Sequence, residues 1–293
     1  MNTNSKNKAR SITALLVAIF MLAPLCSTTA QSQNNEFGIW ATFEASKKIN
    51  KKFKFVGDAE FRTYDFVNNV ERAAIGAKVE YKILKWLKAN VGYSFMYTHK
   101  PDEISLKEFV IIEDFDDNGE EIKHTIGQNK NLDHDYWVIR NRVYATISGE
   151  YKVGRFEIGL RERLQYTHTC AATTNETKYV WKSATNDYTN PDSYQLFEET
   201  APEHKKAKHN LTLRSRLSVK YDIPKCKINP FASIELYTRF DEWKGCDKLR
   251  YRIGASYKIN KDNSLSLYYL YQDANDDDEP KGHAIGFEYS IDL

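Results

Sequence analysis

The sequence predicts an all-β protein: a transmembrane, antiparallel up-and-down β-barrel of about 10–12 strands, with short periplasmic turns and longer extracellular loops. Three observations predict it. The chain opens on an export signal. From residue 37 onward, apolar side chains recur with a period of two, not 3.6. The connections between these segments alternate between short and long.

The export signal has three parts. Lys6, Lys8 and Arg10 form a basic leader, Ile12 to Leu25 an apolar run, and Ser27-Thr28-Thr29-Ala30 the small residues a signal peptidase reads. Residues 1–30 are therefore expected to be a signal peptide cleaved before Gln31, leaving residues 31–293 as the barrel. Leu25 stands where a lipoprotein signal needs a small residue, so no lipid anchor is expected on Cys26. A charged fraction of 28% and a mean hydropathy of −0.62 would suggest a soluble chain, but 19 Tyr, 15 Phe and 5 Trp are a large amphipathic load. A barrel hides its hydrophobicity from such averages, because only alternate residues face lipid. The formal charge of +2, without a basic run, argues against a nucleic-acid partner.

Eleven segments alternate, at about 37–48, 52–64, 71–83, 87–98, 135–151, 155–167, 208–221, 227–240, 248–259, 263–272 and 282–293. In the second, Phe53, Phe55, Gly57, Ala59 and Phe61 alternate with Lys54, Val56, Asp58, Glu60 and Arg62. Short turns follow the odd-numbered segments at Asn50-Lys51, Lys85-Trp86, Val153-Gly154, Pro224-Lys225 and Lys261-Asp262. Two of the other connections are very long, at about 99–134 and 168–207, and are expected to be extracellular loops. Strands reaching the short-turn side end in Tyr-x-Ile/Val, with Tyr81, Tyr151, Tyr221, Tyr257 and Tyr289 on the apolar face. That height suits an aromatic girdle. Lys-Ile-Asn-Lys occurs twice, at 48–51 and 258–261.

The two faces differ in kind. One must hold Arg62, Arg72, Lys78, Glu80, Arg140, Arg142, Glu157, Arg161, Arg163, Arg214, Arg216, Glu235, Arg239, Arg250, Arg252 and Glu288; the other is almost wholly aliphatic and aromatic. A soluble barrel would wear the ionic face outside. The export signal, the girdle and a last strand ending flush at Leu293 favour the inverse arrangement. An odd strand count is unusual for such barrels. Either the N-terminus threads up to the first strand, or the first and last strands pair in parallel, or the count is off by one.

The first strand, Phe37-Gly38-Ile39-Trp40-Ala41-Thr42-Phe43-Glu44, is followed by Lys-Ile-Asn-Lys, a strand ending Asp58-Ala59-Glu60-Phe61-Arg62, and the hairpin Glu80-Tyr81-Lys82-Ile83-Leu84-Lys85-Trp86-Leu87. Over about the whole mature chain this pattern resembles the Bacteroidota outer-membrane barrels catalogued as domain of unknown function 2490. The resemblance implies an outer-membrane barrel and carries over no functional residue.

The candidate site residues are four Arg-x-Arg pairs facing inward: Arg140/Arg142, Arg161/Arg163, Arg214/Arg216 and Arg250/Arg252. A lumen with this excess of arginine would favour a small anionic solute. The opposing reading is a salt-bridge lattice with Glu80, Glu157, Glu235 and Glu288 that plugs a narrow barrel. The function expected is thus a narrow outer-membrane channel, or a plugged structural or surface-binding barrel acting through its two long loops. The expected partners are outer-membrane lipid and lipopolysaccharide.

No catalytic, cofactor-binding or metal residue is expected. Asp114 to Gly119 matches the opening of a calcium loop, but the closing position holds Thr125, and Asn118-Gly119 is a hairpin signal. The acidic stretch Asp273 to Glu279 reads as a solvated loop tip. The seven histidines fall in no nucleophile motif, so an enzyme, in particular a lipid hydrolase, is not expected. Cys170 and Cys246 are expected on the long-loop side, with Cys226 at a short turn. Glu162 is the one charged residue on the apolar face, flanked by Ile158, Leu160, Leu164 and Tyr166. Three readings of it stay open. They are a bulge turning it inward among Arg161 and Arg163, a polar notch with Ser215 and Ala145 that docks a second barrel or a lipid headgroup, and a protonated acid in lipid.

Overall fold

The computed structural model describes residues 36–65, 67–115, 121–185, 190–240, 246–274 and 281–293. The expected signal peptide lies outside them. Eleven strands close a barrel: β1 (Glu36–Lys48), β2 (Phe53–Tyr64), β3 (Asn69–Lys82), β4 (Leu87–Lys100), β7 (Tyr136–Val153), β8 (Phe156–Thr169), β11 (Lys208–Tyr221), β12 (Ile228–Arg239), β13 (Cys246–Lys258), β14 (Asn263–Ala274) and β15 (Gly282–Asp292). They match the eleven alternating segments to within about two residues. Large apolar side chains such as Phe55, Ile75, Val91 and Ile253 are exposed, while Arg62, Arg72, Glu235 and Arg250 are buried. The ionic face is therefore the enclosed one. No helix among the described residues is long and apolar enough to cross a membrane, which says nothing of strands.

The odd count is resolved at the seam. β1 pairs with β15 in parallel, from Glu36↔Gly282 to Ser46↔Asp292, and with β2 antiparallel. An odd number of up-and-down strands brings the first and last together pointing the same way, and the slanted parallel ladder closes the ring. Outward Phe43 and Tyr289 stack across this seam, ring centroids 5.8 Å apart. Two other girdle tyrosines find phenylalanine partners, Phe53–Tyr81 and Phe156–Tyr221, each at 4.9 Å.

The repeated Lys-Ile-Asn-Lys folds into the same turn twice. The Asn50 side chain accepts from the Lys52 and Phe53 amides (2.8 and 2.9 Å), as Asn260 accepts from those of Asp262 and Asn263 (2.9 and 2.8 Å). This is the Asx device that makes asparagine a turn former. At the Val153-Gly154 turn, Gly154 takes φ +61°, a conformation glycine adopts without strain.

Residues 97–140 and 168–208 cluster as a second compact unit. The two long connections are themselves folded, and this was not expected. They hold the hairpins β5 (Glu103–Phe115)–β6 (Glu121–Asp133) and β9 (Ala172–Ser183)–β10 (Tyr194–Lys205), with a 3-10 turn at Pro191–Ser193. Antiparallel pairing of β6 with β9, from Lys130↔Tyr179 to Asp133↔Glu176, joins the hairpins into a sheet of order β10-β9-β6-β5. Cys226, at its short turn, is a free thiol.

Candidate functional site

Six of the eight predicted arginines converge. Alternation sends every second side chain of β8, β11, β12 and β13 to the enclosed face. The lateral register then sets Arg216 beside Glu235 and Glu235 beside Arg250. Arg214 donates to both Glu235 oxygens, Nη2 at 3.0 and 3.1 Å and Nε at 3.2 Å. Arg216 Nη2 donates at 3.1 Å, and Arg250 Nη1 stands 3.9 Å away. Arg161 reaches the same carboxylate from β8, across the intervening β11. Tyr237 Oη adds a bond at 3.2 Å. Glu235 is 1% exposed. Burying a carboxylate costs several kcal/mol unless charge and hydrogen bonds offset it, and here the surrounding guanidiniums do.

The remaining two arginines of the cluster have no carboxylate within ion-pair distance among the described residues. Arg163 donates through Nε to Thr146 Oγ1 (3.1 Å) and lies 4.2 Å from the Tyr144 ring centroid. Arg252 lies 5.1 Å from the Tyr268 centroid. Arg142 bonds Thr167 Oγ1 at 3.2 Å. Arg140 is buried and belongs to the second unit rather than to this cluster.

A second ionic group is balanced. Arg62 pairs with Glu60 (2.9 Å) and Glu71 (3.7 Å), and Arg72 with Glu71 (3.5 Å) and Glu60 (3.9 Å). Two cations face two anions there, whereas one carboxylate serves four arginines at Glu235. Trp40 bridges the two groups: the guanidinium carbons of Arg62 and Arg250 lie 3.8 and 4.9 Å from its ring centroid. β13 and β1 are separated by two strands, so this contact crosses the enclosed space.

Sequence reasoning missed these aromatic shelves. Trp40, Tyr144, Tyr237 and Tyr268 each meet an arginine guanidinium within about 5 Å. The available signal was parity: Tyr144 is two residues from Arg142, and Tyr237 two from Glu235. Glycines make room for the rings. A Cβ on Gly286 would stand 2.0 Å from Tyr268 Cζ, and one on Gly92 2.4 Å from Tyr144 Cζ. Of the expected plugging acids, Glu235 is central; Glu80 pairs with Lys88 (3.9 Å) and Glu157 with Lys152 (3.3 Å) instead.

Glu162 is not turned inward. Its neighbours Arg161 and Arg163 bind Glu235 and Thr146 on the enclosed face. Glu162 stays on the other face, where Ser215 donates to it. The bulge reading is thereby overturned: β8 alternates without interruption through this point.

No group of three or more His, Cys, Asp or Glu suited to a metal ion occurs among the described residues. Most of the Asp114–Gly119 and Asp273–Glu279 stretches lies outside them. Asp273 itself pairs with Lys281 at 3.2 Å.

Among curated proteins none matches the sequence. Similar solved structures include the beta domain of the Bordetella autotransporter BrkA (9% identity, 82% of this chain and 81% of that one, TM-score 0.36). The NanC porin is similar at 10% identity over 80% and 86% of the two chains, with a TM-score of 0.34. The CymD monoaromatic hydrocarbon channel gives 8%, 81% and 83%, and 0.29. Likeness at these scores carries no functional inference. The family described as Protein of unknown function (DUF2490) matches residues 37–282, and the chain belongs to it.

Proposed function

We propose that the protein is an outer-membrane barrel whose arginine-lined lumen forms a narrow conduit favouring small anions. Lipid residence is supported by the outward face: Ile75 and Ile253 are each 64% exposed, on a surface otherwise rich in Phe, Tyr, Leu and Val. Water does not favour such a continuous apolar surface, and a bilayer does. One observation carries the anion preference. Among the described residues, Arg161 and Arg216 have only Glu235 as an ion-pair partner, Arg163 and Arg252 have none, and Glu235 also serves Arg214. Rings of like charge set selectivity at such constrictions. Planar-bilayer recording of the refolded protein in a potassium chloride gradient should give a reversal potential displaced toward that of chloride. A cation-selective or silent barrel would overturn the reading.

The second reading is a plugged barrel that binds through the folded connections. The burial of Arg72, Glu235 and Arg250 favours it. So does the β5 edge strand, which leaves Ile104, Leu106, Phe109 and Ile111 exposed. A silent barrel whose surface binding is lost on removing both hairpins would establish it. On either reading the protein is not an enzyme; hydrolysis of phospholipid by the purified chain would restore a lipid-modifying role.

A further inference from the structure

We propose that the enclosed face carries a discrete oxyanion site, framed by Arg161, Arg216 and Arg252 above a floor of Gly159, Ser218 and Ser233. Its ligand is the carboxylate or phosphate group of a small solute. The inference rests on the anion-favouring lumen and adds to it the residues and the ligand chemistry.

The floor follows from register. Ser218 Oγ donates to the Gly159 carbonyl (3.3 Å), Ser218 lies opposite Ser233, and Ser233 lies opposite Arg252. Four neighbouring strands thus present Gly, Ser, Ser and Arg at one height. The next row holds Arg216, Glu235 and Arg250, with Arg161 reaching in. Small side chains thus stand in the row beside the long cationic ones.

The donors are on hand. Arg161 and Arg216 each use one terminal nitrogen on Glu235. Arg252 makes no hydrogen bond or ion pair among the described residues and lies over the Tyr268 ring. The Nε atoms of all three are buried without a protein acceptor. Buried donors in folded proteins are nearly always matched. Two arginines from β8 and β11 that share one acid, with a third from β13 that has none among the described residues, leave both charge and hydrogen-bonding capacity for a second anion. A guanidinium presents paired N–H groups in a fork that fits two oxygens of a carboxylate or phosphate, and a halide cannot use that fork. The Ser233 hydroxyl supplies a further donor. Glu150, with Cγ 3.9 Å from where a Gly159 Cβ would stand, is exposed to solvent.

The test is equilibrium titration of the refolded full chain in detergent, followed by calorimetry. Inorganic phosphate and acetate are compared with chloride at matched ionic strength. Saturable binding of phosphate or acetate over chloride is expected. The tighter of the two tells a phosphate-bearing from a carboxylate-bearing solute. Arg252→Gln should weaken binding about tenfold or more, as loss of a charged hydrogen-bond donor does. Arg252→Lys should fall between, keeping the charge and losing the fork. Ser233→Leu, which fills the floor and leaves every charge in place, should abolish binding even if Arg252→Gln does not refold. Absence of saturable oxyanion binding, or binding unchanged in Arg252→Gln and Ser233→Leu, overturns the site. Anion-selective conductance without oxyanion binding removes the site and keeps the lumen reading. Binding lost in Ser233→Leu, in a silent or cation-selective barrel, keeps the site and removes the lumen reading.

Discussion

Ser215 Oγ donates a 2.6 Å hydrogen bond to Glu162 Oε2 on the outward face of the barrel, while the second carboxylate oxygen of Glu162 is buried without a partner. With that face in lipid, an acid costs the fold up to a few kcal/mol, somewhat less than the ~2–4 of Arg or Lys at mid-depth. A hydrogen bond to a charged group returns roughly 1.5–3 kcal/mol of it. Glu162→Leu should therefore raise the urea midpoint of the barrel in vesicles, and Ser215→Ala should lower it. Glu162→Leu/Ser215→Ala should match Glu162→Leu closely, because the hydroxyl then has nothing to stabilise. A fall in stability for Glu162→Leu would show that the carboxylate meets a further partner.

Glu235 should be the most costly single side chain of the enclosed face to alter. Removing one member of a buried ion pair costs about 3–5 kcal/mol, because the other charge stays buried alone. Glu235→Gln leaves Arg161, Arg214 and Arg216 facing one another around a neutral amide. Unfolding of Glu235→Gln should shift by that amount. Arg216→Gln/Glu235→Gln should recover part of it, since contacting residues couple. Full additivity of the two substitutions would refute the shared-acid geometry.

The barrel strands were legible because each has one apolar face, and burial of that face enforces a strict period of two. β10 lacked the signal. Its residues from Gln195 to Pro202 are exposed on both faces, so Glu198 and Glu199 sit side by side with no alternation to read. β6, with Lys123, His124, Gln128, Asn129 and Lys130, is as polar. In the site, parity alone aimed the Arg-x-Arg pairs inward. That Glu235, not Glu80 or Glu157, would gather them depends on which strands lie side by side and at what register, which no single strand encodes. The aromatic shelves were hidden for a different reason: inward and outward tyrosines look alike until their neighbours' parity is counted.

Two strand glycines should respond oppositely to alanine. A Cβ on Gly38 would stand 2.1 Å from the Thr63 carbonyl oxygen, a backbone atom that cannot swing aside. Gly38→Ala should cost about 1–3 kcal/mol through strain beside the β1–β2 register. At Gly57 the nearest atom is 3.9 Å away, and its φ is ordinary. Gly57→Ala should be neutral or stabilise by up to ~1 kcal/mol, as removal of glycine's unfolded-state freedom does. Unfolding midpoints of the two variants in the same lipid check the contrast.

The parallel seam should weaken in acid. At its short-turn end, beyond the apolar band, the Leu293 amide donates to the Ser46 carbonyl (2.6 Å). Asp292 there accepts from Lys54 Nζ (2.8 Å) and from Ser46 Oγ. The hydrogen bond from Lys54, and after it that from Ser46, hold the Asp292 carboxyl below its ordinary value of 3.8. A carboxyl whose pKa is lower folded than unfolded adds stability above its unfolded pKa. That contribution fades as pH falls through the ordinary value toward the depressed one. The Asp292 side chain is 44% exposed, so screening limits the pair to about 0.2–1 kcal/mol. Asp292→Asn should therefore be less stable than the unmodified chain at neutral pH by that small amount, with the gap closing at acidic pH. Lys54→Met should abolish most of the gap at every pH. Salt should narrow it at neutral pH, as it does for an exposed pair. Amide exchange of the β1–β15 ladder, followed from neutral to acid, should report the same loss locally. Protection that stays constant across that range would mean the seam is held by its backbone ladder alone.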